Sequence, residues 1–130
     1  MLFRKKDERE TEFDQRKWAA DHGDANSMYL TGMCYFMGRG TERNEVKALY
    51  YYNLAADKDF IPAIFTIAGC YENGICGVKI DERKAFDFYK KAADLGDPES
   101  IEKIVNNYSK GIGVNKNPEQ AFYYCKKLAD

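Results

Sequence analysis

The apolar and small residues of this chain recur in one pattern three times, at a step of 36 or 37 residues. Ser27, Thr31, Gly32 and Tyr35 precede Gly38 and Gly40; Ala63, Ile67, Ala68 and Tyr71 precede Gly74 and Gly77; Ser100, Ile104, Val105 and Tyr108 precede Gly111 and Gly113. Spacing of i, i+4, i+5, i+8 falls on one face of a 3.6-residue period, so each segment reads as an amphipathic helix, here helix A. The glycines that follow accept positive φ, which ends helix A and turns the chain back. A second stripe comes after each loop: Ala48, Tyr51, Tyr52, Ala55 and Ala56; Ala85, Phe88, Tyr89, Ala92 and Ala93; Ala121, Tyr124, Cys125, Leu128 and Ala129. It predicts helix B, N-capped by Asn44, Asp81 and Asn117, with Pro118 at the first helical position of the third copy. Gly23, Asp59 and Gly96 stand where helix B should close.

Trp18-Ala19-Ala20-Asp21-His22-Gly23-Asp24 repeats as Lys91-Ala92-Ala93-Asp94-Leu95-Gly96-Asp97. The expected order is a flexible start at 1–7, the second helix of an incomplete leading repeat at 8–24, and repeats at 25–60, 61–97 and 98–130. Self-similarity at this period means stacked supersecondary units with one continuous core, and such stacks offer extended surfaces more often than catalytic pockets.

Composition narrows the partners. Lys+Arg 20 against Asp+Glu 21 leaves a formal net charge of -1, so no basic field draws in phosphate backbones and nucleic acid is not expected. The first residues are charged from Arg4 onward, and the most apolar window, Phe60 to Tyr71, is shorter than the ~18 residues of a membrane span. The reading is therefore cytoplasmic, with no membrane contact. The four cysteines are poorly arranged for disulfides and fit reduced thiols. His22 is the sole histidine, and Cys70 and Cys76 lack zinc-knuckle spacing, so no metal and no cofactor are expected.

The repeats, with both glycine loops and the Lys47-Ala48 and Lys84-Ala85 pairs in register, resemble the Sel-one-like repeat family, a relative of tetratricopeptide repeats. The resemblance covers Trp18 to Asp130. Departures are local: Ala68 and Val105 replace the helix A glycine, the Gly74 to Gly77 loop has one extra residue, and Gln120 replaces the lysine. What the resemblance implies is an all-α, right-handed α-solenoid of antiparallel helical hairpins, acting as an adaptor or scaffold rather than an enzyme. A protein or peptide would then lie along the concave face of helix A positions outside the packing stripe. Transferred to this chain, those are Asn26, Tyr29, Met33, Phe36 and Met37, then Phe65, Gly69, Glu72 and Asn73, then Glu102, Asn106, Ser109 and Lys110. Exposed Met and aromatic side chains suit an adaptable binding surface.

Two other functional classes compete with the scaffold. Ser100-Ile101-Glu102-Lys103 matches the serine-x-x-lysine of β-lactam-recognising enzymes, and a cysteine-rich subgroup that resembles these repeats has been linked to β-lactam binding; no Ser-Asp-Asn or Lys-Thr-Gly accompanies the motif here. An inhibitor occluding another protein's active site would use the same face as a scaffold. Helix B carries extra aromatics, Tyr50 and Tyr123, for which packing is the expected role. No polar capping helix follows Ala129, so Phe122, Tyr123 and Leu128 are expected to be partly bare. That end would either continue into a longer array or make a contact such as a homodimer.

Overall fold

A computed structural model of the chain describes residues 4–129. Among them are seven α-helices and no strand: α1 Glu8–Asp21, α2 Ala25–Met37, α3 Glu45–Ala56, α4 Ile61–Asn73, α5 Glu82–Asp94, α6 Pro98–Lys110 and α7 Pro118–Ala129. Residues 1–3 of the expected flexible start, and Asp130, lie outside the described residues. Two compact units divide the chain, Met1–Phe60 with α1 to α3 and Ile61–Asp130 with α4 to α7. Within them α2·α3, α4·α5 and α6·α7 pair as hairpins, and α1·α2 and α5·α6 join successive repeats.

Six of the seven helices begin at a side-chain cap. Asn44, Asp81 and Asn117 accept from the backbone N–H three residues on, at 3.0, 3.0 and 3.1 Å. Three further caps follow the same Asx-x-x pattern: Asp24 and Asp97 accept from Ser27 N and Ser100 N at 2.8 and 3.0 Å, and Asp7 forms a capping box with Glu10. Gly38 and Gly111 end α2 and α6 in the left-handed region. Asp59 and Cys76 take positive φ of 59° and 60°, the former closing the turn after α3, the latter filling the loop that carries the extra residue.

In the first unit, the missing side chain of Gly32 is filled by an aromatic ring. A Cβ there would stand 2.7 Å from two carbons of Tyr52 and 3.1 Å from the Ala48 carbonyl oxygen, so the Tyr52 ring occupies the space that a side chain would need. Tyr35 stacks on Tyr51 with centroids 5.8 Å apart, and the Lys47 ammonium lies 5.5 Å from the Tyr35 centroid. The second unit repeats this arrangement. Tyr71 stacks on Phe88 at 5.9 Å beneath Lys84, and Tyr108 stacks on Tyr124 at 6.0 Å, where Gln120 supplies no cation.

The joint between successive repeats is also duplicated. Phe13 meets Tyr35 edge-on at 5.2 Å and 86°, and Phe86 meets Tyr108 edge-on at 5.2 Å and 83°. The second loop glycine rests on the backbone of the preceding repeat: a Cβ on Gly40 would collide with the Arg9 carbonyl oxygen, and one on Gly113 with that of Glu82. Tyr51 donates to Asp21 at 3.0 Å and Tyr124 to Asp94 at 2.7 Å, while Lys17 and Lys90 pair with the same two carboxylates at 2.8 and 3.0 Å. Tyr50 and Tyr123 are exposed and touch the neighbouring Tyr51 and Tyr124 only edge-on, so the packing role expected for them is confined to that edge.

Burial first, and then the hydrogen bond to the Asp94 carboxylate, raise the Tyr124 hydroxyl to about 12. Burial works against ionised Asp94, yet the hydrogen bonds from Tyr124 and Lys90 win and hold its carboxyl below the usual range. With its folded value above the ordinary value of about 10, Tyr124 stabilises fully below pH ~10 and loses that contribution as pH rises toward ~12. Asp94 contributes above the ordinary carboxylate range and loses its contribution as pH falls through that range. Tyr124→Phe is expected to cost about 1–2 kcal/mol at pH 7 in urea unfolding, a cost that shrinks between pH ~10 and ~12. A cost that stays constant to pH 12 would contradict this reading.

Among the described residues one buried side-chain atom has no hydrogen-bond partner, the Thr31 hydroxyl on α2, at a position that Ile67 and Ile104 fill in the other repeats. An unmet buried hydroxyl costs about 1–3 kcal/mol. Thr31→Val is expected to raise the unfolding free energy by about 1 kcal/mol, read as a later urea midpoint at unchanged slope; an earlier midpoint would mean that the hydroxyl has a partner in solution.

Candidate interaction face

The non-packing face of α2 is set by what its other face must bury. Met28, Thr31, Gly32, Cys34 and Tyr35 are buried in the first unit, and this leaves Asn26, Tyr29, Met33, Phe36 and Met37 along the opposite side. Tyr29, Met33 and Phe36 are half-buried, Asn26 is exposed, and Met37 is 57% exposed. Neighbours hold the rings in place. Tyr29 lies 5.6 Å from both Tyr52 and Phe60, and the Arg43 guanidinium sits 5.7 Å from the Phe36 centroid. The stripe is therefore a row of preset apolar side chains with a cation at one end. Arg43 was not picked out from the sequence, and its place over Phe36 comes from the loop turning back after Gly38.

In the second unit the corresponding faces are polar. On α4, Phe65 is half-buried and meets Tyr89 edge-on at 5.4 Å, Gly69 is half-buried, and Glu72 and Asn73 are exposed. Asn73 donates to the Gly69 carbonyl at 3.0 Å, so its amide is partly committed to its own helix. Glu72 accepts from the Tyr89 hydroxyl at 3.1 Å and from the Lys103 ammonium at 3.3 Å, and Lys103 also lies 5.4 Å from the Tyr89 ring. Burial and then the nearby Glu72 charge push the Tyr89 hydroxyl well above its ordinary value. Lys103 was treated in the sequence only as part of a catalytic-looking motif; here it ties α6 to α4. On α6, Glu102, Asn106, Ser109 and Lys110 are all exposed.

The serine-x-x-lysine motif does not assemble as a nucleophile and its base. The Ser100 hydroxyl is fully buried and donates to Asp97 at 2.6 Å, completing the α6 cap, while Lys103 is engaged by Glu72. No group of three or more His, Cys, Asp or Glu residues disposed to hold a metal occurs among the described residues. No helix there is long and apolar enough to cross a membrane. His22 is exposed and stacks on Trp18 at 3.9 Å, its Nδ1 2.7 Å from the Trp18 carbonyl oxygen.

Comparison with known proteins places the repeats. The family model for the Sel1 repeat matches residues 25–60, 62–97 and 107–130. Chitin synthase regulatory factor 1 of Schizosaccharomyces pombe is 33% identical over 101 residues, 76% of this chain and 22% of that protein. The ERAD-associated E3 ubiquitin-protein ligase component HRD3B of Arabidopsis thaliana is 27% identical over 121 residues, 92% of this chain and 19% of that protein. The chain thus spans about a fifth of the length of these two relatives. Among solved structures, a Sel1 repeat protein from Oxalobacter formigenes superposes with a TM-score of 0.84 at 30% identity, covering 91% of this chain and 88% of that one. In repeat spacing, helix order and fold alike, the chain belongs to the Sel1 repeat family, an all-α helical-repeat fold of the solenoid class.

Proposed function

We infer that the chain is a protein-interaction module that holds an apolar segment of a protein or peptide partner on the outer stripe of α2. The observation that carries this reading is the stripe itself. Tyr29, Met33 and Phe36 are left half-buried and Met37 exposed on a helix whose other face is already saturated by core contacts. Side chains that Tyr52, Phe60 and Arg43 already restrain lose little further freedom when a partner covers them, so more of the gained apolar contact appears as affinity. Met33 and Met37 bring unbranched, polarizable side chains that adapt to the partner's contour.

The faces of α4 and α6 form a polar surface of the second unit by itself. Glu72, Asn73, Glu102, Asn106 and Lys110 offer both signs of charge and two amides there, a mixture suited to orienting a bound segment. Glu72 is held by Tyr89 and Lys103, and Phe65 braces Tyr89 from the other side. Relatives named as a regulatory factor and as a ligase component support an adaptor role for a Sel1 repeat segment. The buried, capped state of Ser100 gives no support to a hydrolase built around it.

The test is a comparative capture. The Met33→Ser, Phe36→Ser double variant should retain native helical content by circular dichroism and lose the polypeptide that the native chain retains, with binding weakened by at least ~30-fold, or ~2 kcal/mol. Equal retention by both chains would remove the α2 stripe as the binding face.

A further inference from the structure

The third repeat leaves open a place that the other two fill with a cation. The Lys47 ammonium stands 5.5 Å from the Tyr35 centroid and that of Lys84 5.3 Å from the Tyr71 centroid, each reaching from the first turn of helix B to the helix A tyrosine. Gln120 holds that position on α7, so Tyr108 keeps the ring stack of the other copies while Gln120 brings it no ammonium. A hollow of about 730 Å³ opens there, walled by Arg83, Tyr108, Gly113, Asn115, Asn117 and Gln120 among others. The corresponding hollow of the first repeat, at the Gly38 to Glu42 loop, is about 360 Å³, and Tyr35 is not part of its wall. Lys84 stays exposed although the α6·α7 hairpin follows it in the same unit, so a following hairpin does not cover this place.

The two filled copies show which chemistry fits the open one. An aromatic ring attracts a cation, and Lys47 and Lys84 hold theirs in the first turn of helix B, so the positive end of that helix does not exclude an ammonium. Around the hollow the side-chain amides of Asn115 and Gln120 offer acceptors, and the carbonyl end of α6 favours positive charge. Arg83, the charged member of the wall, pairs with Asp87 on its own helix at 3.4 Å. We propose that the hollow beside Tyr108 is a binding site for a lysine side chain of a partner polypeptide, whose ammonium takes the place at Tyr108 that Lys47 and Lys84 take at Tyr35 and Tyr71. The site belongs to the second unit and stands independently of the α2 stripe.

The probe is the peptide acetyl-Gly-Lys-Gly-amide, with the norleucine peptide as its uncharged counterpart, titrated to ~50 mM at fixed ionic strength against chain labelled with carbon-13 tyrosine. The Tyr108 ring signals should shift saturably with the lysine peptide, at a Kd of ~1–10 mM, and the norleucine peptide should bind at least ~5-fold more weakly. Gln120→Lys restores the residue type of the other copies. It should unfold in urea at a midpoint no lower than the native chain, and should bind the lysine peptide at least ~5-fold more weakly because its own ammonium fills the place. Gln120→Ala, which adds no charge, should weaken binding far less. A Tyr108 ring unmoved at the highest concentration, equal binding of the two peptides, or a Gln120→Lys chain that binds as the native one does would each overturn the proposal. So would a lowered midpoint in Gln120→Lys, since the place would then not accept an ammonium.

Discussion

The joint between one helix B and the hairpin that follows it governs the structure. Three contacts make it: an edge-on Phe–Tyr pair, a loop glycine seated on a carbonyl oxygen, and a tyrosine hydroxyl donated to an aspartate at the end of the preceding helix B. Phe13, Gly40 and Tyr51 supply them in the first unit; Phe86, Gly113 and Tyr124 supply them in the second. The ring geometry agrees to within a few degrees between the two units. The glycine is the least replaceable of the three, because any Cβ would meet backbone rather than the tip of a flexible side chain.

Given that joint, the rest of each repeat is constrained. Tyr35 and Tyr108 cannot move away from helix B, since each is clamped between the phenylalanine of the previous helix and the tyrosine of the next. With that side of helix A committed to the joint, its opposite side makes contacts that differ from one repeat to the next. The sequence there is free to vary, and it does: Tyr29, Met33 and Phe36 on α2 correspond to Phe65, Gly69 and Glu72 on α4 and to Glu102, Asn106 and Ser109 on α6. The packing stripe is thus the shared part of the repeat, and the outer stripe is where the three copies differ.

Much of this was legible in the chain because it is local. The 3.6-residue period, the Asx caps and the positive-φ glycines act within a turn or two, and aligning Trp18 to Gly23 with Lys91 to Gly96 placed α1 where the structure has it. What stayed hidden joins residues far apart in sequence. The ring of Tyr52 fills the place of a Gly32 side chain, so the small residue makes room for an aromatic ring. The repeated lysine proves to be a cation set over the helix A tyrosine, as Lys47 and Lys84 show, and Gln120 marks where that contact is absent. Asp21 and Asp94 gave no signal beyond a polar helix end, because their tyrosine partners lie 30 residues later. The candidate face was read as a list of positions; its physical character, with rings braced by Tyr52, Phe60 and Arg43, required the neighbours.

The division of α2 into a saturated face and an available one is the central claim, and its methionines report on it directly. Met28 is buried on the packing side, while Met33 and Met37 lie on the outer stripe. The most direct measurement is a carbon-13 methyl spectrum of methionine-labelled chain, titrated with the polypeptide it captures. Met33 and Met37 signals should shift or broaden as the complex forms, with Met28 unmoved. Perturbation of Met28 alone, or of none of the three at saturation, would contradict the account.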